Sequence, residues 1–255
     1  MILATPPVAP KKSHTFSHHG LTVADDYAWL RDPGYPEVTD KEILAHLEAE
    51  NAWFEARMGE RKPVIDSLFT EMRARIKEAD KSVPQKDGNF LYWIEYEEGA
   101  EYKKWWRRPV AAKDDGSADQ LILDENELAK GKEYFRLGAA EISPDGKLLA
   151  YSFDDDGSER YRVKFKCLET GEALKDQLCG AYAGWGDDAI EGTLGNLVFS
   201  SDGTQLVYGL VNDNWRVDKL MLHKIGTPQS EDRLIFEEKQ LGFIVGAGLT
   251  AQEDW

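Results

Sequence analysis

Ile142-Ser143-Pro144-Asp145-Gly146-Lys147-Leu148-Leu149-Ala150-Tyr151-Ser152 sets an apolar run, a tight corner and a second apolar run in one short stretch. Pro144 has its φ fixed for the corner of a turn, and Asp145-Gly146 supplies residues that tolerate positive φ. The flanking runs read as strands, so the unit is a β-hairpin. It recurs downstream as Phe199-Ser200-Ser201-Asp202-Gly203-Thr204-Gln205-Leu206-Val207-Tyr208 and upstream as Gln85-Lys86-Asp87-Gly88-Asn89-Phe90-Leu91-Tyr92-Trp93. The three Asp-Gly pairs stand about 57 residues apart, near the period of propeller blades.

Working outward, the first repeat predicts strands over Asn89–Tyr96, Tyr102–Arg108 and Leu121–Leu123, with room for a helical turn between Asp124 and Phe135. The second predicts Leu137–Ser143, Lys147–Phe153 and Tyr161–Cys167, with turns at Asp154-Asp155-Asp156-Gly157-Ser158 and Glu169-Thr170-Gly171-Glu172. Residues 176–194 are glycine-rich and carry no clear period. The third repeat predicts Gly195–Ser200, Gln205–Val211, Lys219–Lys224 and Leu234–Glu237. A fourth begins at Phe243-Ile244-Val245-Gly246-Ala247-Gly248, and Thr250-Ala251-Gln252-Glu253-Asp254 stands where its corner belongs. Three or four strands per repeat, joined by short turns, describe a propeller blade. Because propellers close into rings, three blades and part of a fourth predict a piece of a longer protein. The competing reading is a stand-alone propeller-like binding or scaffold protein whose ring closes by oligomerisation.

Ahead of the repeats, prolines and glycines punctuate residues 1–38 and predict irregular chain. Within it, Asp25 or Asp26 is positioned to cap one helical turn that Pro33 ends, and Tyr27, Trp29 and Leu30 form an anchoring patch. Thr39-x-x-Glu42 has the form of a capping box, and Ile43, Leu47, Phe54 and Met58 follow at helical spacing. Pro63 suits the first turn of a second helix whose face is Ile65, Phe69, Met72 and Ile76, with Leu68 alongside. Two such helices make a thin core and need a further surface to pack on. The expected organisation is therefore an irregular and helical N-terminal arm, 1–78, and an incomplete, mainly β propeller domain, 79–255.

The 255 residues carry a net charge of -16 and a pI near 4.8. Nucleic acid is not an expected partner, since phosphate binding needs a basic face. No membrane partner is expected either, because no apolar run approaches bilayer length. Cys167 and Cys179 fit no metal spacing and read as reduced thiols of a cytoplasmic protein. The adjacent His18-His19 pair is a poor metal ligand set, so no metal and no cofactor is expected. No Gly-x-Ser-x-Gly elbow and no phosphate loop occurs, and no catalytic residue is assigned. Gly246-Ala247-Gly248 reads as tight strand packing. Asp154-Asp155-Asp156 reads as a solvated turn, and Glu95, Glu97, Glu98 and Glu101 crowd one hairpin end. In Lys103-Lys104-Trp105-Trp106-Arg107-Arg108, alternation puts Trp105 and Arg107 on one face and Trp106 and Arg108 on the other. A strand packed between blades explains that run better than a nucleic-acid site.

Several stretches, in order, carry a family resemblance: His19-Gly20, Asp26-Tyr27-Ala28-Trp29-Leu30-Arg31-Asp32, Leu47-Glu48-Ala49-Glu50-Asn51, Glu133-Tyr134-Phe135-Arg136-Leu137-Gly138, the Ser143–Ser152 hairpin, Leu168-Glu169-Thr170-Gly171-Glu172 and His223-Lys224-Ile225-Gly226-Thr227. Together they resemble the N-terminal part of the oligopeptidase B branch of the prolyl oligopeptidase family of serine peptidases. The resemblance implies a helical arm, a seven-bladed propeller and a C-terminal α/β-hydrolase domain on which the arm packs. It implies cleavage of short peptides after Lys or Arg, with the propeller limiting access. The family's Ser, Asp and His triad and its Lys/Arg-binding acids lie in the C-terminal domain, so none is placed on this chain. The glycine-rich 179–194 stretch departs from the pattern and leaves the start of the third blade undefined.

Overall fold

The computed structural model describes residues 5–35, 37–181 and 197–250. The chain divides into two compact units, Met1–Lys77 and Glu78–Trp255.

The first unit opens with a hairpin, β1 (Thr15–His18) against β2 (Leu21–Ala24). Its two-residue loop has positive φ at both His19 and Gly20, the geometry that matches strand twist. This corrects the reading of residues 1–38 as wholly irregular. Both strands are exposed along their length, so no buried face imprints an alternation on them. A 3-10 turn, Ala28–Leu30, follows without a side-chain cap, although Asp25 accepts the Tyr27 N–H just ahead of it. Trp29 anchors this segment by donating to the Pro10 carbonyl at 2.9 Å, with Lys12 over its ring.

Asp32 then organises the start of the long helix. Its carboxylate accepts the backbone N–H groups of Gly34, Thr39 and Asp40, which hold it below the usual carboxylate range. With the Thr39 N–H so engaged, the cap of α1 (Lys41–Met58) is Asp40, which accepts from Glu42 and Ile43. The expected Thr39 capping box does not form. Helix α2 (Lys62–Arg73) has Pro63 in its first turn, where a missing N–H costs nothing. Ile43 is buried, but Ile65, Leu68, Phe69, Met72 and Ile76 stay exposed.

In the second unit the first blade contains β3 (Asp80–Lys81), β4 (Gln85–Asp87), β5 (Phe90–Tyr96), β6 (Lys104–Pro109) and β7 (Gln120–Asp124). Both β3 and β4 pair with β5, so the first strand of this blade is split in two. Asp124 caps a short helix, α3 (Glu125–Ala129). The second blade is β8 (Arg136–Ile142), β9 (Leu148–Asp154), β10 (Tyr161–Cys167) and β11 (Ala173–Ala181). The third is β12 (Leu197–Phe199), β13 (Gln205–Val211), β14 (Val217–Lys224) and β15 (Arg233–Glu237). Every neighbouring pair is antiparallel. A pairing of Ala181 with Leu210 joins the second and third blades into one sheet. Strand β11 corrects the unassigned 176–194 stretch at its start; 182–196 lie outside the described residues.

The repeated corner has one chemistry. Gly146 donates to the Ser143 carbonyl, Ser143 Oγ bonds Asp145 Oδ1 at 2.7 Å, and Leu148 N–H donates to Ser143 Oγ. Gly203, Ser200, Asp202 and Gln205 repeat these bonds. Gly146 and Gly203 both have φ near +70°, which a side chain would strain. The corners also stack: a Cβ on Gly203 would meet Ser143, and one on Gly146 would lie 3.2 Å from Phe90. Hydrogen bonds from Ser200 and Thr204 hold the Asp202 carboxyl down to about 2. A depressed carboxylate stabilises above its unfolded pKa and loses that contribution as pH falls through its folded one. Asp202→Asn should therefore flatten the acid-unfolding curve between about pH 4 and pH 2, read by circular dichroism.

Strand β9 shows why the blade reads as continuously apolar. Leu149, Tyr151 and Phe153 pack with Ile122, Leu123, Phe135 and Leu168 toward the first blade. Ala150, on the other face, joins Val163, Phe165, Phe199, Leu206 and Tyr208 toward the third. A strand sandwiched between two neighbours has no solvated face.

The fourth repeat departs from expectation. Residues 243–250 form no strand; Val245 N–H donates to Val217 O and Arg216 donates to Leu241 O. A strand needs a ladder, and the long-range backbone bond from Val245 goes to the start of β14 without one. The Gly246-Ala247-Gly248 stretch is thus not tight strand packing, and residues 251–255 lie outside the described ones.

Candidate functional site

General-base chemistry most often uses a histidine. His18 and His19 belong to the exposed hairpin, their rings edge to face. His46 lies beside Trp29 and 3.7 Å from Glu50. His223 is fully buried. Its Nδ1 meets Asp232 Oδ1 at 2.7 Å and its Nε2 faces Asp176 Oδ2 at 3.4 Å. Asp232 also accepts from Tyr208 OH, and Asp176 from the Gly226 N–H. The His223–Asp232 pair has the form of a base with its orienting acid. Where a nucleophile would sit there is a second carboxylate, so the cluster is structural. Among the described residues no histidine bonds a serine, threonine or cysteine.

The acidic runs are partnered. Asp154 is 1% exposed and accepts the N–H groups of Asp156, Gly157 and Glu159. Asp155 pairs with Lys132 and Arg162. Asp154 thus caps the turn from the buried side, while Asp156 and Gly157 stay exposed, as a solvated turn requires. Lys81 and Lys104 meet Glu95 and Glu97 at the first hairpin end. Cys167 is a half-buried free thiol, held below the usual thiol range by hydrogen bonds from the Thr170 hydroxyl and the backbone N–H groups of Thr170 and Glu169. The side chain of Cys179 lies outside the described residues.

The aromatic and basic strand β6 does what its alternation predicts. Arg107, 4% exposed, donates from Nε to Gln120 and from Nη1 to the Gly146 carbonyl of the next blade's corner. Its guanidinium lies over the Phe90 ring. Trp105 Nε1 donates to Glu125. On the other face Trp106 stacks on Trp93, and Arg108 meets Asp114 and Asp119.

Between the first two blades lies a cavity of about 330 Å³. Tyr92, Ile94, Trp105, Ile122 and Leu149 are among its walls, and Gln85, Lys86, Asp87 and Glu141 also border it. Burial pushes the Glu141 carboxyl up to about 7, and the Asp87 charge adds to the shift. Glu141 was not singled out from the sequence, although a signal existed. When the three corners are superposed on Gly88, Gly146 and Gly203, Val83 and Val198 stand at the position that Glu141 fills.

The successive stacked blades, of which the second and third share the same Ser/Asp-bonded corner, are matched across residues 6–255 by the family model for the prolyl oligopeptidase N-terminal beta-propeller domain. The chain belongs to the prolyl oligopeptidase family. It is 37% identical to dipeptidyl aminopeptidase BI of Pseudoxanthomonas mexicana, over 96% of this chain and 34% of that protein. In three dimensions it resembles oligopeptidase B from Leishmania major, with a TM-score of 0.77 and 28% identity over 93% of this chain and 33% of that one. It also resembles oligopeptidase B from Trypanosoma brucei with covalently bound antipain, with a TM-score of 0.80 and 26% identity over 98% of this chain and 35% of that one. The chain spans about a third of the length of these relatives.

Proposed function

We propose that this chain is the arm and part of the propeller of a cytoplasmic serine oligopeptidase of the oligopeptidase B type. The whole enzyme cleaves short peptides after Lys or Arg, and its propeller limits access to an α/β-hydrolase domain that supplies the triad. The family match across residues 6–255 carries this reading. The described histidines support it: none is coupled to a nucleophile, so acyl transfer needs groups supplied elsewhere.

Purified chain is expected to release no fluorophore from an arginyl peptide substrate. Turnover abolished by a serine-directed inhibitor would contradict the assignment of chemistry. Identity to dipeptidyl aminopeptidase BI favours a second reading, removal of dipeptides from an amino terminus. A product carrying the whole reading frame separates the two: blocking the substrate's amino group abolishes aminopeptidase turnover and spares cleavage after internal Lys or Arg. The mass of the purified chain tests the scaffold alternative, for which a stable closed oligomer is required.

A further inference from the structure

We propose that the cavity between the first and second blades binds a neutral aromatic ring system of the size of indole. Strand register identifies the side chains that wall it. Arg107, which reaches the Gly146 carbonyl of the second blade, stands opposite Tyr92, and Trp105 stands opposite Ile94. Tyr92, Ile94 and Trp105 therefore share the face turned to the second blade. Across the cavity, Ala140 pairs with Tyr151 and Ile142 with Leu149, and Tyr151 and Leu149 belong to the apolar cluster that faces the first blade. Trp93, Lys86 and Glu141 also border the cavity. Their cross-strand partners are Trp106, Leu91 and Ala150, so alternation turns these three side chains to the opposite faces.

A bulge makes the space. Gln85 pairs with Tyr92, and the same register carried back by two residues would set Val83 opposite Ile94, on the cavity face. Instead the Ser82 N–H donates to the Ile94 carbonyl, and the Ile94 N–H donates to Ser82 Oγ. Strand β3 then pairs Lys81 with Glu95, one residue out of step with β4. Val83 is expelled and 82% exposed. Bulges of this kind re-aim a side chain and gather beside functional sites. The next junction has no such gap. Leu197, Phe199, Leu206 and Tyr208 are closed between the second and third blades, whereas Tyr92, Ile94, Trp105, Ala140 and Ile142 are only half-buried.

The walls select the ligand. The cavity holds about 330 Å³, whereas an apolar cavity of roughly 150 Å³ already takes up benzene. Tyr92 and Trp105, on neighbouring strands, offer ring surface to a flat aromatic guest. Of the three charged neighbours, register puts only Asp87 on this face, beside Phe90. Asp87 is exposed, so water already solvates it and it calls for no counter-charge. A charged guest would give up its hydration to aliphatic and aromatic walls without a partner there. A neutral ring system exchanges water for those walls at no such cost.

The test is calorimetric titration of the 255-residue chain with indole, joined to methyl spectra of the same sample. Saturable one-to-one binding is expected, with the largest shifts at the methyl groups of Ile94, Ile122, Ile142 and Leu149. Indole-3-carboxylate should bind about tenfold more weakly or not at all. Ala140→Leu fills the cavity from its second-blade wall, so it should weaken indole binding by about tenfold or more without lowering the melting temperature. If that variant melts early, the methyl shifts of the unaltered chain still locate the site. Absence of saturable binding, largest shifts at methyl groups away from the cavity, equal affinity for the carboxylate, or unchanged affinity in folded Ala140→Leu would each overturn the proposal. The site uses only the first two blades, so its failure would leave the peptidase reading standing.

Discussion

Asp232→Ala is expected to destabilise the propeller unit by about 2–4 kcal/mol, since it takes an acceptor from two buried donors at about 1–3 kcal/mol each. Asp232 accepts from His223 Nδ1 and from Tyr208 OH, both at 2.7 Å. His223 stacks on Phe165 with ring centroids 5.5 Å apart, at the centre of the core between the second and third blades. Alanine takes this acceptor from an imidazole and a phenol that are closed off from solvent, His223 being 0% and Tyr208 1% exposed. The urea midpoint should fall with little change in slope. Asn, which retains one carbonyl acceptor, should cost less. The paired change His223→Leu with Asp232→Leu should cost less than the two single changes summed, because it removes both polar partners rather than orphaning one. A loss within 1 kcal/mol for Asp232→Ala would show that the bonds do not anchor the blade.

What was legible in the sequence follows from where the periodicity comes from. The corners Ser143-Pro144-Asp145-Gly146 and Ser200-Ser201-Asp202-Gly203 are local: their bonds run between residues a few positions apart. The strands between them are apolar because neighbouring blades bury them, and Tyr161–Cys167 and Gln205–Val211 match the reading to the residue. The exposed β1–β2 hairpin has no such imprint, and its turn uses His19, which rarely marks one but tolerates the left-handed region better than most residues. Asp32 displaced the expected cap from Thr39 to Asp40 by a bond spanning seven residues, and a local rule does not contain it. The apolar run Phe243–Gly248 forms no strand, because a strand exists only in its ladder. The same limit hid the candidate cavity. Ile142, Asp87 and Trp105 lie far apart in sequence and meet only when two blades stack.

Arg107→Ala is expected to cost about 2–4 kcal/mol and to act unevenly across the blades. The first and second blades belong to separate sheets, whereas the second and third are continuous. The first is therefore held to its neighbour by side chains: the shared apolar cluster, Arg107 to the Gly146 carbonyl, Gln120 to the Leu168 carbonyl, and Lys166 to the Ile122 carbonyl. Arg107 also orients Gln120 through Nε. Its removal strips the corner carbonyl of its cross-blade donor and loosens the glutamine that makes the second link. Lysine keeps the charge but lacks the planar fork, so it should not restore the loss. Hydrogen exchange supplies the discriminating readout. Amides of β5 and β6 should exchange faster in Arg107→Ala, while those of β13 and β14 keep their wild-type rates, because local opening follows the weakest junction. Acceleration spread evenly over all three blades would mean that the propeller segment opens as one unit, and that its cohesion comes from the apolar clusters rather than from the arginine bridging the first two blades.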